Sequence, residues 1–363
     1  MSILGLHHIT IISSDGQRTA DFYTRVLGLR MVKKTVNFDQ PSSYHLYFGD
    51  EKGSPGTAIT FFEWPGAPKG LPGVGGTHHL ALRVPTRDGL LKWKRRLTDM
   101  NIKVDGTFDR HYFESIYFKD PDGLILEIAT DGPGFAVDED EIGTTHKPPP
   151  AEMMVTNRDA EAIGKMTWPE PVPTVTADMA LLNGMHHITA IAENIDRTNR
   201  FYTDVLGIRR VKMTDNFDDP NSAHWYWGDN TGRPGSLITY FERDPKTTRY
   251  AQMGRGLTHH FAFAVENENV QREYQKKLSS AGYRVSQILD RDYFKSIYTN
   301  DPDGHIVELA TVGPGFLVDE SETELGTNLK LPSWLEHQRD QIEPKLKPIS
   351  VNAWEAPKEN PNE

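Results

Sequence analysis

Cysteine is absent from this sequence of 363 residues. Its absence excludes disulfides, thiolate nucleophiles and every zinc or iron–sulfur site that is held by cysteine. Any metal ion must then be bound by His, Asp, Glu or backbone oxygen. Histidine, which occurs 14 times, is therefore the first residue type to examine for metal binding.

An excess of positive charge is also missing. The chain has 40 Lys and Arg against 51 Asp and Glu, which gives a formal net charge of −11, and no basic block occurs. Nucleic acids and anionic membrane surfaces recruit basic patches, so we expect neither as a partner. No run approaches the roughly 18 apolar residues of a membrane span, and the start lacks the features of a signal peptide. We expect a cytoplasmic protein that acts on small molecules.

Four adjacent histidine pairs mark an internal repeat. They open the strand-like stretches HHITIIS, HHLALRV, HHITAIA and HHFAFAV, and they use eight of the 14 histidines. The first part of the chain matches its second half at a constant offset of 179 residues. Each half divides again, and the resulting modules have the pattern strand, helix, then three strands (βαβββ). The four modules are residues 5–65, 76–134, 184–244 and 257–316.

One βαβββ module is an open half-sheet that cannot close its own core, so we expect modules to pair. The sequence therefore predicts an α+β protein whose four modules form two open barrel-like cups. Either the first module pairs with the second and the third with the fourth, or the first pairs with the fourth and the second with the third. The predicted domains are 1–134 and 184–318, with a linker at 135–183, rich in proline and charge, and a tail at 319–363 that contains one short helix.

Strand periodicity predicts which histidines face the concave side of each cup. Neighbouring residues on a strand point to opposite faces, so one histidine of each pair should face inward. In HHFAFAV the bulky apolar residues Phe261, Phe263 and Val265 share one face, which leaves His260 on the other. The second histidines of the four pairs are the expected inward residues, namely His8, His79, His187 and His260.

Two isolated carboxylates stand in otherwise apolar strands, Glu127 in DGLILEIAT and Glu308 in DGHIVELAT. An unpaired buried carboxylate costs several kcal/mol, so each needs a cation or a metal. The preceding DPDG sequence predicts a tight hairpin that sets Tyr117 across from Glu127 and Tyr298 across from Glu308.

The corresponding strands of the first and third modules carry Thr60 and Thr239 in place of the glutamates. A cup built from one odd and one even module then holds two histidines and one glutamate. This donor set is typical of non-heme Fe(II) sites, where the remaining coordination positions stay open for substrate and dioxygen.

Several other polar residues allow two interpretations. His45 and His224 either line the cup or form hydrogen bonds within the sheet. Arg110 and Arg291 either make surface ion pairs or neutralise an oxyanion of a bound substrate. Lys33, in VKKTVNFD, is interpreted together with its neighbour as part of a solvated sheet edge.

The combined motifs resemble a known family. The HHIT openings, VKKTVNFD followed by YHLYFGDEKGSPGT, DRDYFKSIY and GPGF are similar to the ring-cleaving dioxygenases of the vicinal oxygen chelate (glyoxalase/bleomycin resistance) superfamily. The likeness covers about residues 4–345 and points to the branch that opens hydroquinone-type rings. It implies that Fe(II) is the cofactor, that O2 and a small aromatic ring of the hydroquinone or substituted catechol type are the substrates, and that modules one and four pair. The resemblance does not decide whether the protein forms a homo-oligomer.

The resemblance also implies the site residues. The metal ligands would be His8, His260 and Glu308, and the catalytic residues around them would be Arg291, Tyr298, His7, His259 and Thr10. Within that set, Tyr298 and Arg291 would steer and protonate oxygen intermediates, and His7 or His259 would shuttle a proton near neutral pH.

The sequence departs from the family pattern in one respect, because the second cup also retains a full set of ligand types. His79, Glu127 and His187, with Arg110 and Tyr117, constitute either a second working centre or a surviving relic. Two other functions stay open. A glyoxalase-like lyase or isomerase would normally have a second carboxylate at its metal, and a metal-free binding protein would have no use for the isolated glutamates.

Overall fold

The computed structural model describes residues 2–359, and each of the four predicted modules has the βαβββ order. This confirms the α+β class and the fourfold repeat. The first module contains β1 (Gly5–Ser13), α1 (Gly16–Asp21), β2 (Arg30–Asn37), β3 (Gln40–Gly49) and β4 (Ala58–Glu63); the second contains β5 (Thr77–Val84), α2 (Arg87–Asp99), β6 (Asp105–Asp109), β7 (Glu114–Lys119) and β8 (Ile125–Thr130). After α3 (Ala160–Lys165), the third contains β9 (Met185–Ala192), α4 (Ile195–Asn199), β10 (Arg209–Asn216), β11 (Asp219–Gly228) and β12 (Leu237–Glu242); the fourth contains β13 (Thr258–Val265), α5 (Glu268–Ser280), β14 (Leu289–Asp290), β15 (Lys295–Asn300) and β16 (Ile306–Thr311), and α6 (Ser333–Glu336) and α7 (Arg339–Ile342) follow.

The strands form two curled sheets of eight strands each. Their orders are β14-β15-β16-β13-β1-β4-β3-β2 and β10-β11-β12-β9-β5-β8-β7-β6. Antiparallel pairing of β1 with β13 joins the first module to the fourth, and pairing of β5 with β9 joins the second to the third. Of the two pairings that the sequence permits, the structure has this one. Each sheet therefore takes strands from both predicted domains, and the boundaries 1–134, 135–183, 184–318 and 319–363 stay a prediction about the sequence repeat.

The helices pack on the convex faces of the sheets, where the core lies. Phe261, Phe263 and Val265 of β13 belong to the same buried cluster as Tyr274 and Leu278 of α5. The apolar face predicted for HHFAFAV is thus the one beneath the helix, which leaves the opposite, concave face of the strand for polar groups. Among the residues that the structure describes, no helix has the length and apolar content needed to span a bilayer.

The DPDG sequences form the tight hairpins that position the tyrosines. The side chain of Asp120 accepts hydrogen bonds from the backbone N–H groups of Asp122, Gly123 and Leu124, at 2.8–2.9 Å. Gly123 has φ +96°, a conformation that glycine adopts readily. The resulting register places Tyr117 opposite Glu127 and, in the other sheet, Tyr298 opposite Glu308, as predicted.

The linker and the tail have equivalent positions in the two sheets, a similarity that was not predicted from the sequence. We call residues 135–165 the linker strap and residues 316–349 the tail strap. Each strap bridges an edge strand in parallel, His146 to Met213 of β10 and Leu329 to Lys34 of β2. Both straps cover strand edges that would otherwise be open to pairing with another chain. The tail contains two short helices where one was predicted, and its last residues, 360–363, lie outside the described part of the chain.

The tail strap also explains the environment of Lys33. Its side chain is fully buried, and Nζ lies 2.6 Å from the Asp319 carboxylate and in contact with that of Glu320. In the second sheet Lys212 pairs in the same way with Asp138 and Glu139. The expectation that Lys33 lies on a solvated edge is wrong, because the strap covers that edge.

Candidate metal centres

Three predicted ligands meet on the concave face of the first sheet. His8 lies on β1, His260 on β13 and Glu308 on β16, which are adjacent strands. The Nε2 atoms of the two histidines are 3.3 Å apart. Oε2 of Glu308 lies 3.2 Å from Nε2 of His8 and 3.1 Å from Nε2 of His260. All three side chains are buried.

The second sheet contains an equivalent group. Nε2 of His79 and Nε2 of His187 are 3.2 Å apart, and Oε2 of Glu127 lies 2.9 and 3.3 Å from them. Corresponding distances in the two groups therefore differ by at most 0.2 Å. Within residues 2–359, these are the two places where three or more potential ligands of this kind converge.

The first histidine of each pair lies on a β-bulge. On β1, Leu6 is opposite Phe263 and His8 is opposite Ala262, so His7 is an extra residue in the strand. The pairing registers shift in the same way at His78, His186 and His259. A bulge breaks the alternation of side chains, which explains why the two rings of a pair contact each other. Strict alternation, from which one inward histidine per pair was predicted, does not hold at these positions.

The bulge histidines determine the proton positions of the ligands. Nε2 of His7 lies 3.2 Å from the carbonyl oxygen of Thr311, which can only accept, so this nitrogen carries a proton. Burial, and secondarily the charge of His8, lowers the pKa of His7 to about 3, so the ring is neutral and its Nδ1 is an acceptor. Nδ1 of His8, 2.9 Å away, must donate to it. The lone pair of Nε2 of His8 is then directed at Glu308, the arrangement that metal-binding histidines require.

The donor atoms fit a divalent metal ion. Oε1 of Glu308 accepts a hydrogen bond from Ser296, whereas Oε2 has no hydrogen-bond partner among residues 2–359. Oε2 and two imidazole nitrogens thus approach one another without a hydrogen bond to Oε2, which is unfavourable unless a cation lies between them. Neighbouring ligands on an ion with bonds of roughly 2.1 Å are roughly 3 Å apart, close to the observed separations.

The first group opens into a cavity of about 690 Å³. Tyr298 and Arg291 line this cavity, and the guanidinium carbon of Arg291 lies 5.5 Å from the centre of the Tyr298 ring. Burial and the charge of Glu308 raise the pKa of Tyr298, so its hydroxyl stays protonated. Arg291 also pairs with Asp39 at 3.4 Å. The remaining lining includes the aromatic side chains Phe38, His45, Tyr47, Phe62, Trp64, His259 and Phe294.

His7 and Thr10 are not among the residues that line the cavity. Oγ1 of Thr10 is 2.9 Å from Nε2 of His260. The shuttle role expected of His7 or His259 requires a pKa near 7. Burial, and secondarily the charge of the neighbouring histidine, lowers the pKa of both rings to about 3. The contact of His7 with Nδ1 of His8 supports orientation of that ligand by His7, and proton transfer by His7 or His259 stays a prediction.

Sequence reasoning missed a hydrogen-bonded chain beneath the first group. The Tyr47 hydroxyl contacts His45 at 2.9 Å, His45 contacts Oγ1 of Thr60 at 2.8 Å, and Thr60 contacts Thr10 at 2.7 Å. His45 thus both lines the cavity and bonds within the sheet. Ser296 was also missed, although a serine occupies the same place in the two SIY motifs, which was a usable signal.

Replacement of His7 by Phe is expected to lower metal affinity about 10–100-fold, as loss of an outer hydrogen-bond partner typically does. Phenylalanine retains the packing on Phe294, whose ring centre is 5.0 Å away, but cannot accept the proton of His8. Equilibrium titration with Co(II) measures the effect, in a Glu127→Gln chain so that only the first group is read. His146→Phe, at a partly exposed histidine of the linker strap, is the control and should bind as its parent. Unchanged affinity in His7→Phe would contradict the orientation role.

The chain is similar to one superfamily of proteins and to ring-cleaving dioxygenases within it. The model of the Glyoxalase/Bleomycin resistance protein/Dioxygenase superfamily matches residues 5–128 and 184–309. A Bacillus subtilis (strain 168) protein named "Putative ring-cleaving dioxygenase MhqO" is 36% identical over 353 residues, 96% of this chain and 97% of that protein. The chlorohydroquinone/hydroquinone 1,2-dioxygenase of Sphingobium indicum is 30% identical over 343 residues, 93% of this chain and 94% of the relative.

Solved structures agree. The crystal structure of a "putative dioxygenase" from Bacillus subtilis is 33% identical in sequence and aligns with a TM-score of 0.77. The alignment covers 97% of this chain and 99% of the solved chain. Glyoxalase I from Zea mays, at 15% identity and a TM-score of 0.54, covers 85% of this chain and 92% of its own, and shows the fold alone. The resemblance seen in the sequence is confirmed, and the chain belongs to the Glyoxalase/Bleomycin resistance protein/Dioxygenase superfamily.

Proposed function

We propose that this protein is an Fe(II)-dependent dioxygenase that opens hydroquinone-type aromatic rings with O2, and that His8, His260 and Glu308 hold the iron. The observation that carries the proposal is the arrangement of three buried donors, two imidazoles and one carboxylate, of which both imidazoles line one cavity. Donors confined to one side of an ion leave coordination positions open for substrate and dioxygen. The names of the two ring-cleaving relatives support the same reaction class.

Ferrous iron, when bound, would supply the redox chemistry that dioxygen needs and a positive charge that favours a phenolate oxygen. The surrounding residues select and orient the ring. Phe62 and Trp64 are stacked with ring centres 5.9 Å apart, and both line the cavity. These flat apolar walls favour a planar substrate and exclude water from the ligands.

Tyr298 and Arg291 are the proposed catalytic residues of the cavity. Because the Tyr298 hydroxyl stays protonated, it can donate a hydrogen bond or a proton to an oxygen of the ring. The guanidinium of Arg291 is permanently charged and stabilises negative charge that develops on the same oxygen. His259 lines the cavity beside them, His7 positions His8 through its Nδ1, and Thr10 contacts the ligand nitrogen of His260.

The alternatives have weaker support. Oγ1 of Thr60, where a glyoxalase-like site would need a fourth donor, is already bonded to Thr10 at 2.7 Å and to His45 at 2.8 Å. A metal-free binding protein would leave Oε2 of Glu308 buried without a partner. A ring-cleaving dioxygenase explains both facts.

The test is anaerobic reconstitution with Fe(II), followed by addition of methylhydroquinone and O2. We expect one O2 consumed for each ring lost, and no consumption by the metal-free protein. Loss of the diol without O2 uptake would overturn the proposal. Protein loaded with Ni(II), Co(II) or Zn(II) serves as the comparison, because a lyase or isomerase would work with these metals in the absence of O2.

Tyr298→Phe should lower kcat for methylhydroquinone by about 10²–10⁴-fold, the usual contribution of a positioned acid. Metal content and KM should change little, because the ring is kept and only the hydroxyl is lost. Steady-state O2 uptake measures both constants. Tyr250→Phe, which removes a hydroxyl at an exposed tyrosine outside the cavities, should behave as wild type. An undiminished kcat in Tyr298→Phe would remove this residue from the mechanism.

A further inference from the structure

We infer that His79, Glu127 and His187 form a second working metal centre, whose cavity takes aromatic diols that carry an anionic substituent. The claim that these residues bind a metal ion is argued from geometry alone, whereas the claim about the substrate rests on the proposed function. The three donors lie within 3.3 Å of one another and are buried. Oε2 of Glu127 has no hydrogen-bond partner among the described residues. A buried carboxylate oxygen without a partner is the same sign of a missing cation as in the first group.

The residues that support the ligands are also retained. Ser115 donates to the other oxygen of Glu127. Nε2 of His186 lies 3.0 Å from the carbonyl oxygen of Thr130, and its Nδ1 lies 2.9 Å from Nδ1 of His187. These two contacts of His186 direct the lone pair of Nε2 of His187 toward Glu127, as the contacts of His7 direct that of His8 toward Glu308. A relic would have no need of the orienting hydrogen bonds, yet the second group keeps them.

His79 of the second group lines a cavity of about 550 Å³ together with Arg110 and Tyr117. The same three residues and His187 line a neighbouring cavity of about 30 Å³. The guanidinium carbon of Arg110 lies 5.4 Å from the centre of the Tyr117 ring, as Arg291 lies near Tyr298. The acid and the cation proposed for the first cavity thus have counterparts in the second.

The linings of the two cavities differ at several corresponding positions, and at one of them the first has Trp64 and the second has Arg243. Trp64 presents an apolar ring, 5.7 Å from the ring of His259. Arg243 lies over Phe241, 5.6 Å from the ring centre, and forms an ion pair with Asp219 at 3.1 Å. Because the Asp219 side chain is 44% exposed, this pair is weak and the guanidinium can turn to a substrate anion.

The straps place different side chains against Phe38 and its counterpart Phe217. In the first sheet Trp334 of the tail strap packs on Phe38 with ring centres 5.5 Å apart. In the second sheet Arg158 of the linker strap lies 3.2 Å from the carbonyl oxygen of Phe217, the residue that corresponds to Phe38. Because Arg158 is itself paired with Asp218 at 2.5 Å, the charge that a substrate meets comes from the cavity linings. The second cavity has Lys103, Arg110, Lys119 and Arg243 against Asp105 and Asp218, a formal charge of +2, and the first has Arg284 and Arg291 against Asp39, a formal charge of +1. The more cationic lining of the second cavity favours a ring with a carboxylate.

Metal stoichiometry tests the second centre without reference to activity. Anaerobic titration of the full chain with Co(II), followed by its visible absorption, should give two ions per chain in wild type. Glu127→Gln and Glu308→Gln should each bind one ion, and the double variant none. A wild-type chain that binds one ion, with no change in Glu127→Gln, would overturn the second centre.

Substrate preference tests the claim that the second cavity takes anionic diols. The experiment uses Fe(II)-loaded variants, with methylhydroquinone as the neutral probe and 2,5-dihydroxybenzoate as the anionic probe. Glu308→Gln, which keeps the second centre, should favour the anionic probe in kcat/KM, and Glu127→Gln the neutral one. Arg243→Trp in the Glu308→Gln chain should lower kcat/KM for the anionic probe at least about tenfold, the usual worth of a charged hydrogen bond. Equal preference in the two single variants would overturn the substrate assignment. Two bound metals without O2 uptake by any variant would overturn it together with the proposed function.

Discussion

Glu308→Gln is expected to lower ring cleavage of methylhydroquinone by more than about 100-fold. Loss of an outer partner of a metal ligand costs about 10–100-fold, and here a ligand itself is lost. The amide is neutral, so no negatively charged ligand would remain at the first centre to balance the charge of the metal ion. Only the neutral donors His8 and His260 would be left. The fold should persist, because the amide can still bond to Ser296 and no buried charge is left uncompensated.

The measurement combines metal content, O2 uptake and thermal unfolding of the metal-free protein. We expect the loss of one of the two bound metal ions and of methylhydroquinone cleavage, with an unchanged or higher Tm. Glu63→Gln is the matched control, because Glu63 is also buried and its Oε1 accepts from the backbone N–H of Gly16 at 2.8 Å, which an amide oxygen can replace. Activity of Glu308→Gln at the level of this control would exclude Glu308 as a ligand.

Lys33→Ala is expected to lower the free energy of unfolding by roughly 3–5 kcal/mol, the usual result of removing one partner from a buried ion pair. The Glu320 carboxylate would be left buried, and its Oε1 has no other hydrogen-bond partner among residues 2–359. Because Lys33 holds the tail strap on β2, we also expect the strap to become accessible to proteases. Urea denaturation of the metal-free protein measures the change.

Two further variants separate charge from packing. Lys34→Ala removes the neighbouring, half-buried lysine and should cost less than about 1 kcal/mol, since its Nζ lies at a long 3.3 Å from the carbonyl oxygen of Ile349. Lys33→Met combined with Glu320→Gln should regain most of the lost stability, because both charges of the pair are removed and no unpaired charge stays buried. If the double variant is as unstable as Lys33→Ala, the loss is one of packing and the electrostatic account is wrong.

Local patterns in the sequence were sufficient for the modules and for the composition of each centre. The hydrophobic period of β13 predicted which face carries His260, and the DPDG turn predicted the register of Tyr298 with Glu308. Both follow from interactions within about ten residues of chain. Strand pattern and turn chemistry are properties of such short segments, so they can be predicted without tertiary structure.

Features that depend on distant segments could not be derived in this way. The bulge at His7 is a mismatch between β1 and β13, and it appears only when the register of the two strands is known. Burial of Lys33 depends on the tail strap, about 285 residues away, which a local pattern cannot place. The pairing of modules was likewise open, because both arrangements gave each cup the same donor types.

The pairing of the first module with the last has a consequence for biosynthesis. His8 and His260 are 252 positions apart, whereas His79 and His187 are 108 apart, so the inner pair of modules lies within the outer pair along the chain. At translation rates of about 5–20 residues per second, the first module waits roughly 13 to 50 s on the ribosome for its partner. During that interval the edge of β1 is uncovered, and the N-terminal part of the nascent polypeptide is where a chaperone would be needed most.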